Sequence, residues 1–241
     1  MSVLGWPSAL WLVRHGESIG NVANAEARRA QALRLEVDAS DSEIGLTDLG
    51  AEQAGALGRW MAELPPEQLP TRLVVSPYIR TRETARLIIE AADLHKLPVT
   101  VDERLRDREQ GVLDRLTGAG FREQYPEEAA RREYVGKFWY RPSGGESWAD
   151  VAMRVRAVLL ELRLTMPDER ILVVTHDVVI LIFRYVLEQL APAEATKWSG
   201  QLRNCSLTSF RRATAGDRLE LERFNDVTAL ERRAAPVTAN G

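Results

Sequence analysis

The chain has 241 residues, 45% of them hydrophobic, and a formal net charge of −3. That length suits one large α/β domain with its own core, and the near-neutral charge excludes a broad basic surface for nucleic acid or anionic membrane. No apolar run is long enough to span a bilayer and no basic segment precedes the first one, so the expectation is a soluble, cytoplasmic protein with no membrane or nucleic-acid partner.

The first strand is predicted at Ala9 to Arg14, ending abruptly in Arg14-His15-Gly16-Glu17-Ser18. Ser18 to Leu35 is Ala/Arg-rich and begins as a helix. An exposed, mobile excursion is predicted through Val37–Ile44. Thr47 then caps a helix whose apolar positions Ala54, Leu57 and Met61 recur at helical spacing, and Leu64-Pro65-Pro66 ends it. Leu73-Val74-Val75 is a buried strand stopped by Ser76-Pro77, and Arg80 to Ala92 is the next helix, with Ala85, Ile88 and Ile89 facing in. Val99 to Val101 is a third strand. Trp148 to Leu164 is a long amphipathic helix. Ile171 to Thr175 is the most hydrophobic strand, so it belongs at the centre of the sheet and runs into His176. A helix follows from Val178 to Leu190. Ser206–Arg211 and Leu219–Phe224, separated by Ala215-Gly216-Asp217, read as a hairpin at a sheet edge. Cys205, the one cysteine, precludes an internal disulfide and reads as a buried, inert strand residue.

Strands alternating with helices imply an α/β fold, a three-layer α/β/α sandwich around a mostly parallel sheet. One domain is expected over 1–230, with a helical lid inserted near 112–145 and a flexible tail over 231–241. In such sheets ligands bind beyond the carboxyl ends of the strands. Those ends carry Arg14-His15-Gly16, Ser76 to Arg80, Arg104 to Gly111, and His176-Asp177. Only three histidines occur in the chain, and two of them end apolar strands. Buried Arg and His are costly without a partner, and a phosphate group provides one.

These motifs resemble the histidine phosphatase superfamily, the phosphoglycerate mutase-like group. Arg14-His15-Gly16-Glu17-Ser18 with Asn21 is similar to its signature. Ser76-Pro77 with Arg80 and Thr84-Ala85 resembles its second motif, Gly144-Gly145-Glu146-Ser147 its ES motif, and Val174-Thr175-His176 the motif of its second histidine. Asn225-Asp226 also fits, so the likeness spans residues 10 to 226.

The resemblance implies catalysis by His15, Asp107 and His176. A neutral His15 imidazole attacks phosphorus and becomes a phosphohistidine. Arg14, Asn21, Arg80 and His176 surround the non-bridging oxygens, and Ser18 and Glu17 shape the loop or contact substrate. The side chains supply the cations, so neither a metal nor another cofactor is implied. The general acid departs from the family pattern. An aspartate, Asp107, stands four residues before Gly111 where the family has glutamate, with Asp177 second and Glu109 third in rank.

A small phosphorylated metabolite is the expected partner; oligomeric state is not readable. Ser18-Ile19-Gly20-Asn21-Val22 lacks the tryptophan of the mutases, and no KYGEEQ-like segment is present. A phosphomonoester phosphatase is therefore favoured over a phosphoglycerate mutase. A phosphate-binding module without turnover is the third reading. Phe121, Tyr125, Tyr134, Phe138, Trp139 and Tyr140 mark the lid, either packing it or meeting substrate.

Overall fold

Leu10 and Leu12 of the first strand enter one hydrophobic cluster and Val13 enters another, so side chains alternate between two buried faces. Ile171 and Val173 likewise face the first cluster, and Leu172 and Val174 the second. Sheets covered on both faces need such continuous apolar strands. The computed structural model describes residues 5–215 and 218–239.

The elements in chain order are β1 (Ala9–Arg14), α1 (Ile19–Arg29), α2 (Asp48–Met61), β2 (Arg72–Val75), α3 (Ile79–Ala91), β3 (Val99–Val101), α4 (Gly118–Gln124), α5 (Pro126–Val135), α6 (Trp148–Thr165), β4 (Arg170–Thr175), α7 (Asp177–Leu187), α8 (Pro192–Lys197), β5 (Leu207–Arg212), β6 (Leu219–Asp226) and α9 (Thr228–Glu231). The strands form one six-stranded sheet in the order β3-β2-β4-β1-β5-β6. β4 is central, as its hydrophobicity predicts. It pairs in parallel with β1 and β2, β3 adds a parallel edge, and β5 and β6 are antiparallel. Helices α6 and α7 cover one face; α2, α3 and α9 cover the other. The result is a mixed α/β fold in three layers. Truncating a fully buried residue such as Leu172 to Ala costs about 2–5 kcal/mol, because the close-packed neighbours relax only partly.

Three expectations need correction. The stretch 37–44 is not a free excursion: Val37, Asp41 and Ile44 line a pocket with His15. Of the flexible tail expected over 231–241, the described residues 231–239 are not loose: Ala235 is buried in the cluster with α2, and Gln53 Nε2 donates to the Pro236 carbonyl at 2.9 Å. Cys205 is buried, but it precedes β5 in a turn with φ 52° and is not a strand residue. β5 and β6 do form the edge hairpin, while Gly216 and Asp217 of its predicted turn lie outside the described residues.

Candidate active site

β1 and β4 end side by side, with Arg14 paired to Thr175. The parallel register therefore brings His15 and His176 together, 161 residues apart in sequence, with ring centroids at 5.3 Å. Past Arg14 the chain turns against the first turn of α2. A Cβ on Gly16 would meet the Gly50 carbonyl oxygen at 2.4 Å, and one on Gly50 would meet the Glu17 carbonyl oxygen at 2.0 Å. Only two facing glycines allow this approach, and it fixes the loop that carries His15. The Gly16 N–H donates to Thr84 Oγ1 at 3.0 Å, and the Glu17 N–H to Gln53 Oε1 at 2.9 Å.

His15 Nδ1 lies 2.8 Å from the carbonyl oxygen of Gly16. A carbonyl only accepts, so Nδ1 carries the proton and donates, and Nε2 keeps a lone pair. Burial pushes the His15 pKa well below the usual imidazole value, and Arg80, Arg14 and His176 push it the same way. The ring is therefore neutral, the form a nucleophile requires.

His15 lines a cavity of about 190 Å³ with Arg14, Ser18, Asn21, Arg80, Asp107 and Asp177. Arg14 is buried and its Nη1 donates to the Leu202 carbonyl. Burial lowers its pKa, an effect opposed by Asp177 and Asp107. Arg80, at the start of α3, lies 3.2 Å from Asp107 Oδ2 and 3.1 Å from Asp41 Oδ1. Ser18 caps α1, and Asn21 Oδ1 accepts from the Ser18 N–H and from Asn204 Nδ2, both at 3.1 Å. That turns the amino end of Asn21 to the opposite side of its side chain.

His176 is fully buried and is not among the cavity-lining residues. Its ring lies against that of His15, and its buried Nδ1 makes no hydrogen bond. Its Nε2 is 2.9 Å from Ser76 Oγ and its Nδ1 is 3.4 Å from Asp107 Oδ2. Burial, then Arg80, Arg154 and Arg14, hold its pKa well below the usual value. Asp107 also accepts from the Arg108 N–H at 2.8 Å.

Glu17 is turned away from this cavity: its carboxylate accepts from Thr47 Oγ1 at 2.9 Å on α2. Glu109 is exposed, and its carboxylate accepts from the Gly111 N–H at 3.2 Å. Asp177 is the first residue of α7, and the cap position belongs to His176. Its carboxylate accepts from the Val178 N–H at 2.7 Å and the Gly200 N–H at 3.3 Å.

Two residues of the site had no signal in the sequence. Asp41 reaches Arg80 from a polar loop. Asn204 is fully buried and its Nδ2 donates to the His15 carbonyl oxygen at 3.1 Å. Among the described residues no cluster of three or more His, Cys, Asp or Glu is arranged to hold a metal ion, and no helix is long and apolar enough to cross a membrane.

A family model described as histidine phosphatase superfamily (branch 1) matches residues 10–227. The chain is similar to a 2,3-bisphosphoglycerate-dependent phosphoglycerate mutase 2 of Gloeobacter violaceus, 31% identical over 78% of this chain and 79% of that protein. It is similar to a fructose-2,6-bisphosphatase of Saccharomyces cerevisiae, 30% identical over 82% of this chain but only 38% of the yeast protein's length. A mycobacterial glucosyl-3-phosphoglycerate phosphatase solved with inorganic phosphate superposes with a TM-score of 0.70 at 25% identity, over 92% of this chain and 99% of that one.

Proposed function

The chain belongs to branch 1 of the histidine phosphatase superfamily, and on that premise we propose that it hydrolyses phosphomonoesters through a phosphohistidine on His15. One observation carries the reading: a neutral His15 with Nδ1 held by the Gly16 carbonyl, at 2.8 Å, facing a pocket lined by Arg14, Arg80 and Asp107.

In this reaction His15 Nε2 attacks phosphorus in line, forming an N–P bond as the P–O bond to the leaving group breaks. Asp107, as general acid, passes a proton to the departing oxygen. Charge on the transferring group spreads over three oxygens, which Arg14 and Arg80 neutralise and Asn21 solvates. Ser18 holds the loop through its cap, and His176 stands beside His15, held by Ser76 through its Nε2 at 2.9 Å. Asp107 then takes a proton from water as the water oxygen attacks phosphorus, releasing phosphate and restoring neutral His15. The guanidinium groups bring the positive charge, so EDTA leaves turnover intact.

The test is turnover of p-nitrophenyl phosphate, with acid and alkaline treatment of enzyme trapped by brief incubation with labelled substrate. We expect an adduct labile to acid and stable to base, absent in His15→Ala. A base-labile adduct, as from an aspartyl phosphate, would overturn the assignment.

The mutase likeness supports a second reading, transfer between 2- and 3-phosphoglycerate. Incubation with 3-phosphoglycerate and 2,3-bisphosphoglycerate separates the two. Phosphate release outpacing 2-phosphoglycerate formation supports the hydrolase.

A further inference from the structure

β5 runs antiparallel to β1 and begins opposite Val13, so the residues just ahead of β5 pass beside the carboxyl end of β1, where His15 lies. Asn204 stands on that segment and is fully buried. A buried primary amide is costly unless its donors and its acceptor are met. Asn204 meets them with groups from three parts of the chain. Its backbone N–H donates to the Thr238 carbonyl at 2.9 Å and its Oδ1 accepts from Thr238 Oγ1 at 3.2 Å. Its Nδ2 donates to the His15 carbonyl and to Asn21 Oδ1, both at 3.1 Å.

The two ends of a side-chain amide have nearly the same shape, so only their partners decide which way round it sits. Here backbone groups decide. The Glu17 N–H can only donate, so Gln53 Oε1 accepts it, at 2.9 Å. Gln53 Nε2 is then the end that donates to the Pro236 carbonyl and to Thr238 Oγ1, both at 2.9 Å. Thr238 Oγ1, having accepted there, turns its proton to Asn204 Oδ1. Asn204 Nδ2 is fixed a second time, because the His15 carbonyl can only accept. Asn21 Oδ1 therefore faces donors on two sides, Asn204 Nδ2 and the Ser18 N–H, each at 3.1 Å. Reversing the Asn21 amide would set its NH2 against both.

That orientation matters because the two ends of an amide act oppositely on an anion. An NH2 donates to a phosphate oxygen, whereas a carbonyl oxygen in its place repels it. Asn21 lines the cavity with Arg14, His15 and Arg80, so the choice is made where the phosphate would lie. The His15 backbone does not depend on Asn204 alone. The Cys205 N–H donates to the same carbonyl at 3.3 Å, and the His15 N–H donates to the Thr175 carbonyl at 3.0 Å. Loss of Asn204 Nδ2 thus falls first on Asn21.

We propose that Asn204 is a positioning residue: it holds the Asn21 amide with its NH2 end toward the substrate phosphate, and Thr238 and Gln53 tie that setting to the C-terminal segment. Its effect on turnover rests on the phosphatase reading; its effect on anion binding does not.

The experiment is a double-mutant cycle read by the calorimetric Kd for inorganic phosphate. It uses the wild type, Asn204→Leu, Asn21→Ala and the double variant, with thermal melts to establish folding and kcat/KM for p-nitrophenyl phosphate alongside. Asn204→Leu removes the donor without adding a charge. We expect it to weaken phosphate binding about fivefold in the wild-type background, the scale of one hydrogen bond, and less than about twofold where Asn21 is already alanine. A merely structural loss would weaken both backgrounds alike, so equal effects overturn the positioning role. Phosphate binding left unchanged by Asn204→Leu, or by Asn21→Ala, overturns it as well. Failure to turn over p-nitrophenyl phosphate overturns the phosphatase reading instead, and the phosphate cycle still decides the role of Asn204. If Asn204→Leu fails to fold, Asn204→Ala carries the same cycle.

Discussion

The Asp41 carboxylate stands 3.1 Å from the Arg80 guanidinium, on the wall of the pocket that holds His15. Burial raises the Asp41 pKa, Arg80 opposes that, and Asp107 and Asp114 add to the rise. The side chain thus uses donors that phosphate oxygens need, and places negative charge beside them. Asp41→Ala should tighten competitive inhibition by inorganic phosphate about 3–10-fold, on the order of 1 kcal/mol. Weaker inhibition in the variant would mean that Asp41 chiefly holds Arg80 in position.

Asp107→Asn should slow hydrolysis of alkyl phosphates by about 10²–10⁴-fold, the usual scale of general acid catalysis. The effect should be far smaller with p-nitrophenyl phosphate, whose leaving group departs without a proton. Asp177→Asn should lack this dependence, because its carboxylate is held by the Val178 and Gly200 N–H groups. Leaving-group dependence in Asp177→Asn and none in Asp107→Asn would transfer the role.

Both buried imidazoles titrate well below the ordinary value of 6.5. Below that pH the unfolded chain binds protons that the folded chain refuses. Since ν_U then exceeds ν_N, stability rises with pH, and it is lost as pH falls below about 6.5. Each imidazole contributes a slope of up to about 1.4 kcal/mol per pH unit. Urea melts between pH 5 and 7, in phosphate-free buffer, should show this slope, and the His15→Gln/His176→Asn double variant should flatten it. An unchanged slope in that variant would assign the dependence to other groups.

The C-terminal segment braces the catalytic loop from behind. Thr238 Oγ1 donates to Asn204 Oδ1 at 3.2 Å, and Asn204 Nδ2 donates to the His15 carbonyl at 3.1 Å. Gln53 joins Glu17 to Pro236 and Thr238 in the same way. A chain ending at Ala234 should lose about 2–4 kcal/mol, from these hydrogen bonds and the burial of Ala235. Its kcat should fall more than its KM rises. An unchanged urea midpoint would show that the segment contributes nothing.

The strands, most helices and the sheet's central strand were legible in the sequence, because apolar runs, caps and glycines act over a few residues. Arg14-His15-Gly16 and Ser76 to Arg80 were legible for the same reason: polar groups that end buried strands stand out locally. The pairing of Asp41 with Arg80, the hydrogen bond between Ser76 and His176, the outward turn of Glu17 and the anchoring of residues 235–238 were not. Each depends on which surfaces meet once the layers pack. Asp41 and Asn204 sit in ordinary polar context, and their importance comes from partners 39 and 189 residues away. Local sequence determines what each segment can become, because backbone dihedrals and side-chain periodicity are local. The positions of charges relative to one another were decided only by tertiary structure, because burial and the distances between groups do not exist until the chain has packed.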